Sequence, residues 1–219
     1  GLVAAVASTR RADVSRIGYW GHSHGGGMVP WLLQQGAKRG WGTRAQYMTS
    51  VDQAWSYRVG TGVIAMPKNT RALVINMDHD EDADARLGID IFESLTLPQS
   101  QKSYVMMNSD SYGQAPYLAS HLAPTGDAAP DAVDFALFRY SDLLESCSLF
   151  HGGAGGNRAA CGADLGDAGH WSDGHPVARA TVTDHPVDQG LYPALLVECD
   201  FGYGGIQNPR ISRCGATHI

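Results

Sequence analysis

The sequence has no apolar stretch approaching the roughly 18 residues that a membrane-spanning helix needs, so no membrane span is expected. It has no run of basic residues and a net charge of −6, which argues against a nucleic-acid partner. Charged residues make up only 17% against 43% hydrophobic ones, a balance that excludes a disordered chain. Repeats and low-complexity tracts are absent. Cysteine is scarce: Cys147, Cys161, Cys199 and Cys214, with no C-x-x-C pair, so no zinc site is expected. All four lie late in the chain, and an even count in a loop-rich segment suggests two disulfides, which a reducing cytosol would not sustain. The expected location is therefore secreted or periplasmic. Two bridges can be drawn in three ways, of which Cys147–Cys161 with Cys199–Cys214 is the local one. Four buried free thiols are the alternative. The opening Gly1-Leu2-Val3-Ala4-Ala5-Val6-Ala7 has no basic segment before its apolar run and makes a poor signal peptide. It reads as the interior of a larger protein, with residues 2–12 as the end of a helix.

What the sequence does have is Gly21-His22-Ser23-His24-Gly25, a complete G-x-S-x-G. Arg16 to Trp20 before it reads as a short apolar strand. Gly26 to Leu33 after it reads as the start of a helix. A serine on a sharp strand-to-helix turn is a nucleophile elbow, and that context supports the motif better than its letters do. Gly21 and Gly25 are expected to let neighbouring elements approach without a Cβ clash. A glycine-rich turn with a capping serine is the plainer reading.

From there the chain alternates. A helix is expected from about residue 26 to 38, with Pro30 in its first turns, where a missing N–H is tolerated. Strands follow at Ala45–Thr49, Arg71–Met77 and Ser103–Met107. Residues 51–69 read as irregular. An acidic loop, Asp78-His79-Asp80-Glu81-Asp82, precedes a helix carrying Leu87, Ile91 and Leu95 on one stripe. Pro130-Asp131 opens another helix with Val133, Leu137 and Leu144 on one face. Leu195–Cys199 reads as an extra strand. Strand–helix alternation of this kind implies an α/β fold, a mostly parallel sheet flanked by helices.

The elbow and the order of elements resemble the second half of an α/β-hydrolase domain, of the secreted bacterial esterase type. On this resemblance residues 1–148 form the C-terminal half of the catalytic domain, a partial α/β-hydrolase fold. Residues 149–219 form a loop-rich extension packed on the same domain, and its Trp171-Ser172-Asp173-Gly174 resembles a turn found in the tails of such hydrolases. The family implies a nucleophile, an acid and a histidine in that chain order. Ser23 is then the nucleophile. Asp80, just past the strand ending at Met77, is the acid, with Asp78 and Asp82 as close rivals. His121, between His79 and His151, is the base. The backbone N–H of His24 is one oxyanion donor. His22 and Trp55 are expected to line the substrate pocket.

The chemistry suits these residue types. A serine hydroxyl is a weak nucleophile until a base removes its proton. An imidazole can take that proton and return it to the leaving group, and a carboxylate fixes its tautomer. Acyl transfer of this kind needs no cofactor and no metal. The implied activity is cleavage of carboxylic esters through an acyl-enzyme, with a small-molecule ester as substrate. A serine peptidase, an acyltransferase and a non-catalytic binding relative remain alternatives. So do other roles for the acids: Asp80 as part of a solvated cap, or 78, 80 and 82 as a calcium loop, which lacks the required glycine and distal glutamate. A metal held by His22 and His24 is disfavoured, because side chains two apart on a strained turn diverge. The family's second oxyanion donor comes from an earlier loop that is absent here, as are the strands before it. The expectation is a fragment or processed product lacking the N-terminal half of the fold, with about four parallel strands, the elbow strand at an edge, and weak activity alone.

Overall fold

The computed structural model describes residues 2–9, 11–113, 117–125, 132–150, 164–190, 195–203 and 205–214. Its centre is a five-stranded sheet in the order β1-β2-β3-β4-β5. The strands are β1 (Arg16–His22), β2 (Ala45–Val51), β3 (Thr70–Met77), β4 (Lys102–Met107) and β5 (Thr181–Thr183). The first four are parallel in sequential order. Helices occupy two of the three parallel crossovers, α2 (His24–Lys38) between β1 and β2 and α3 (Ala85–Ser94) between β3 and β4, while the β2–β3 crossover is irregular; α1 (Leu2–Ser8) precedes β1. A last helix, α4 (Ala132–Glu145), follows β4. This is the α/β architecture expected from the alternation, and the elbow strand does lie at an edge.

The β3 sequence shows how the layers form. Its side chains alternate: Leu73, Ile75 and Met77 pack on one face with Leu137, Tyr140 and Leu144 of α4. Ala72 and Val74 pack on the other with Val29 and Leu33 of α2 and Ile89 and Phe92 of α3. A strand buried on both faces is apolar along most of its length, which is why Ala72–Ile75 reads as a continuous hydrophobic run. Each valine, leucine, isoleucine, phenylalanine or methionine side chain removed from water here contributes about 1.5–3 kcal/mol. Leu87, Ile91 and Leu95 are buried, as their spacing predicts. Val133 sits in α4, but its side chain is outside the described set. At the β1 edge burial is incomplete: Trp20 is half-exposed at 49%.

The C-terminal segment departs from expectation. Leu195–Cys199 forms no strand; only Val197 makes an isolated bridge, to Ala83. The strand that does join the sheet is β5, antiparallel to β4, with Val182 opposite Val105. Its three residues carry too short a pattern to be read locally. A two-stranded hairpin, β6 (Gly202–Tyr203) and β7 (Ile206–Gln207), follows. Two devices tie this tail to the domain. Arg210, fully buried, donates to both oxygens of Asp90 on α3 (2.6 and 2.8 Å), to Ser94 Oγ, and to the carbonyls of Gly60 and Gly62. Cys199 and Cys214 form a disulfide packed with Trp55, Ala83 and Leu87. Cys147 is also disulfide-bonded. Cys161 and the glycine run at 152–156 lie outside the described residues.

The Cys199–Cys214 bridge spans 15 residues. Replacing both cysteines by serine should therefore lower unfolding stability by about 3 kcal/mol in the chain-entropy view. Equilibrium urea unfolding measures it, and a curve superimposable on that of the native protein would refute the expectation.

Candidate active site

In a parallel sheet all carboxyl ends meet at one rim, where clefts of α/β proteins form. Here the register sets His22 beside Val51, Val51 beside Ile75, and Met77 beside Met107. The loops leaving these ends carry Ser23, Asp52, Asp80 and, further on, His121.

Ser23 links β1 to α2 with φ 55° and ψ −124°. A non-glycine residue held at positive φ costs on the order of 1–3 kcal/mol and persists only where its surroundings impose it. Its neighbours do so. The Ser23 N–H donates to Val51 O (2.9 Å), and the Ser23 carbonyl accepts from Ala54 N–H (3.0 Å) and Gly27 N–H (3.1 Å). The glycines around it divide their work differently from the sequence expectation. A Cβ on Gly21 would overlap the Gly25 carbonyl, and one on Gly27 would overlap the carbonyls of Ala54 and Trp55. A Cβ on Gly25 would meet nothing within 4 Å. Gly21 and Gly27, rather than Gly25, permit the close approach.

Three predicted site residues converge. His121 Nε2 lies 3.0 Å from Ser23 Oγ, and His121 Nδ1 lies 2.9 Å from Asp80 Oδ2. The other Asp80 oxygen, Oδ1, accepts from the N–H groups of Asp82 and Ala83, each at 2.8 Å, so the carboxylate is locked before it meets the imidazole. Asp80 is 1% exposed and His121 8%. The rivals are engaged elsewhere. Asp78 accepts from Ser109 N–H (2.8 Å) and Ser109 Oγ–H (2.5 Å), fastening the loop after β4. Asp82 uses its backbone carbonyl to accept from Val197 N–H. The path from Met107 to His121 is held by that Ser109 anchor, by Ala119 N–H donating to Ser109 Oγ, and by His79 N–H donating to Ala119 O.

The flanking residues separate. His22 is half-buried with its ring centroid 4.7 Å from that of His121. Burial, and then the neighbouring His121, hold its pKa below the ordinary imidazole value. Its Nε2 is buried without a hydrogen-bond partner among the described residues. His24 opens α2, its ring stacked on Tyr57 at 6.4 Å. Trp55 does not line the pocket as expected. It is 1% exposed, donates its indole N–H to Glu198 O (3.0 Å), and belongs to the core beneath the tail. An apolar cavity of about 380 Å³, lined by Trp20, Tyr47, Pro124, Leu137 and Phe138 among others, contains no member of the Ser23–His121–Asp80 set.

One rim residue escaped the sequence reading. Asp52, directly after β2, is fully buried at φ 39°. Its signal was a lone acid at the carboxyl end of the strand beside the elbow. Donor atoms of His22, Asp52 and His121 come within 4.8 Å of one another. An ion there would have to break a His121 bond, since Ser23 and Asp80 already engage both ring nitrogens, so we assign no metal centre to this cluster. No family model matches the chain, and no curated protein matches it.

Proposed function

We propose that the protein is a serine hydrolase of the α/β-hydrolase type that cleaves carboxylic esters through an acyl-enzyme. The observation that carries this reading is the unbroken relay from Asp80 through His121 to Ser23, with contacts of 2.9 and 3.0 Å on a strained elbow. Asp80 Oδ2 can only accept, so it places the ring proton on Nδ1 and leaves Nε2 free to accept from Ser23. As Ser23 Oγ attacks an ester carbonyl, its proton passes to Nε2, and Asp80 stabilises the imidazolium that forms. The imidazolium then protonates the departing alkoxide. Water, deprotonated by the same nitrogen, releases the acid and restores Ser23. The backbone N–H of His24, at the start of the 15-residue α2, is assigned to the developing oxyanion, where the helix dipole adds favourably. The open flank of β1 is where this reading places the second donor and the further strands that the resemblance implies. Export fits the Cys199–Cys214 disulfide, and no helix among the described residues is long and apolar enough to cross a membrane.

A fluorophosphonate probe tests the reading against a non-catalytic binding protein, because only an activated serine reacts. The expected result is one adduct per chain, mapped to Ser23 by peptide mass spectrometry and prevented by prior unfolding. An unlabelled native protein would overturn the proposal.

A further inference from the structure

Behind the Asp80–His121 pair stands a second carboxyl that the relay does not use. Asp52 has no exposed surface. Its backbone N–H donates to Ile75 O (2.9 Å), and its Oδ1 accepts from Met77 N–H (2.9 Å), so both its chain and one oxygen are fixed to β3. The other oxygen, Oδ2, is buried and meets no donor. The polar groups gathered around this carboxyl are ring nitrogens of His22 and His121, within 4.8 Å, and the Asp80 carboxylate, which as an acceptor cannot satisfy Oδ2. Two buried carboxylates in contact cannot both ionise cheaply, and a single proton between them resolves the conflict. With a proton on Oδ2, Asp52 changes from an orphaned acceptor into a donor toward Asp80. Burial first, and then the charge of Asp80, push the Asp52 carboxyl well above the usual carboxylate range. Among the described residues, the titratable groups gathered around Asp52 are Asp80 from the β3–α3 loop, His22 from the end of β1, and His121.

Resting on the hydrolytic reading of Ser23, His121 and Asp80, we propose that Asp52 is a positioning residue: a neutral carboxylic acid that donates to Asp80 and fixes the carboxylate orienting His121. Asp80 would then be held from three sides, by the N–H groups of Asp82 and Ala83 on Oδ1 and by the Asp52 hydroxyl. A carboxylate held in this way cannot swing when His121 gains and loses its proton in each cycle. The strained φ at Asp52 has a purpose in this view, since it goes with a side chain whose Oδ1 reaches Met77 N–H at the end of β3. A charged Asp52 would instead compete with Asp80 for His121.

Asp52→Asn tests the proton, because an amide keeps an acceptor for Met77 N–H and a donor for Asp80 without a titrating group. The difference infrared spectrum at neutral pH should show a protonated-carboxyl stretch in the wild type that the variant lacks; identical spectra in that region overturn the proposal. Urea unfolding gives an independent check that needs no turnover. Where the native state keeps a proton that the unfolded chain has lost, native stability falls as pH rises. The unfolded aspartate titrates near 3.9. The stability of Asp52→Asn relative to wild type should therefore improve as pH rises above about 4, and level off once native Asp52 ionises. A difference that is flat with pH, or that moves the other way, refutes a raised Asp52.

The positioning role is read from kinetics. Asp52→Ala, shown to be folded by its thermal melt, should lower kcat on a short-chain activated ester about 10- to 100-fold with little change in KM. Asp52→Asn should restore most of the loss. An Asp52→Ala variant with unchanged kcat, or failure of Asp52→Asn to rescue, removes the role. A wild-type chain that neither turns over the ester nor is labelled at Ser23 by the fluorophosphonate refutes the hydrolase reading and the positioning role with it, while the infrared experiment still decides whether Asp52 carries the proton.

Discussion

Ser23→Ala is expected to abolish hydrolysis of a short-chain activated ester, with a loss on the order of 10⁶-fold in kcat if turnover is efficient, as when the nucleophile of a well-studied protease is removed. The size of the effect follows from the chemistry. Without Oγ there is no acyl-enzyme, and His121 Nε2, 3.0 Å away, has nothing to deprotonate except water. Residual rate would come only from binding and the oxyanion donors. The fold should not respond. Alanine keeps the backbone hydrogen bonds that hold the elbow, Ser23 N–H to Val51 O and Ser23 O from Ala54 N–H, and removes one hydroxyl. The measurement pairs kcat/KM with a thermal melt. A variant that keeps its melting temperature and its turnover would show that Ser23 is a turn residue and nothing more.

Asp80→Asn should lower kcat by about 10⁴-fold, the loss seen when a triad aspartate becomes an amide in an otherwise intact site. The geometry here gives the reason. The amide introduced by Asp80→Asn can still accept from Asp82 and Ala83 N–H through its carbonyl oxygen, so the loop stays in place. Its nitrogen then faces His121 Nδ1 and donates where the carboxylate accepted. That forces the ring proton onto Nε2, and an Nε2 bearing a proton cannot take another from Ser23. Asp82→Asn is the control, because the contact of Asp82 with the tail uses its backbone carbonyl. Asp82→Asn should turn over near the wild-type rate. Loss of activity in Asp82→Asn with retention in Asp80→Asn would reassign the acid.

Several features were readable because they are written locally. Buried parallel strands need apolar runs, and β1 to β4 each appear within a residue or two of where their runs begin. The elbow announces itself by a strand, a serine between glycines and an apolar helix in immediate succession. The resemblance implies an acid on the loop after β3, where Asp78, Asp80 and Asp82 all stand, and a histidine further on, where His121 lies between His79 and His151. Other features depended on partners far along the chain. Thr181–Thr183 becomes a strand only because β4 offers it an edge 75 or more residues away. Leu195–Cys199 has a strand's composition, but Cys199 is tied to Cys214 and Val197 to Ala83, so the segment packs as a strap. Trp55 stands in an irregular loop of the sequence, and only the fold shows that the tail covers it. Asp52 was hidden for the same reason. One acid after one strand says nothing until the register shows that its neighbour across the rim is the loop bearing Asp80. The elements and their parallel order can thus be read from the chain alone, because periodicity is a local property, whereas Asp80 and His121 were implied by the resemblance, with Asp78 and Asp82 left open until the fold set Asp80 beside His121. Which acids face each other, which aromatic is covered and which edge is filled belong to tertiary packing, since burial and hydrogen-bond partners exist only between segments brought together by the fold.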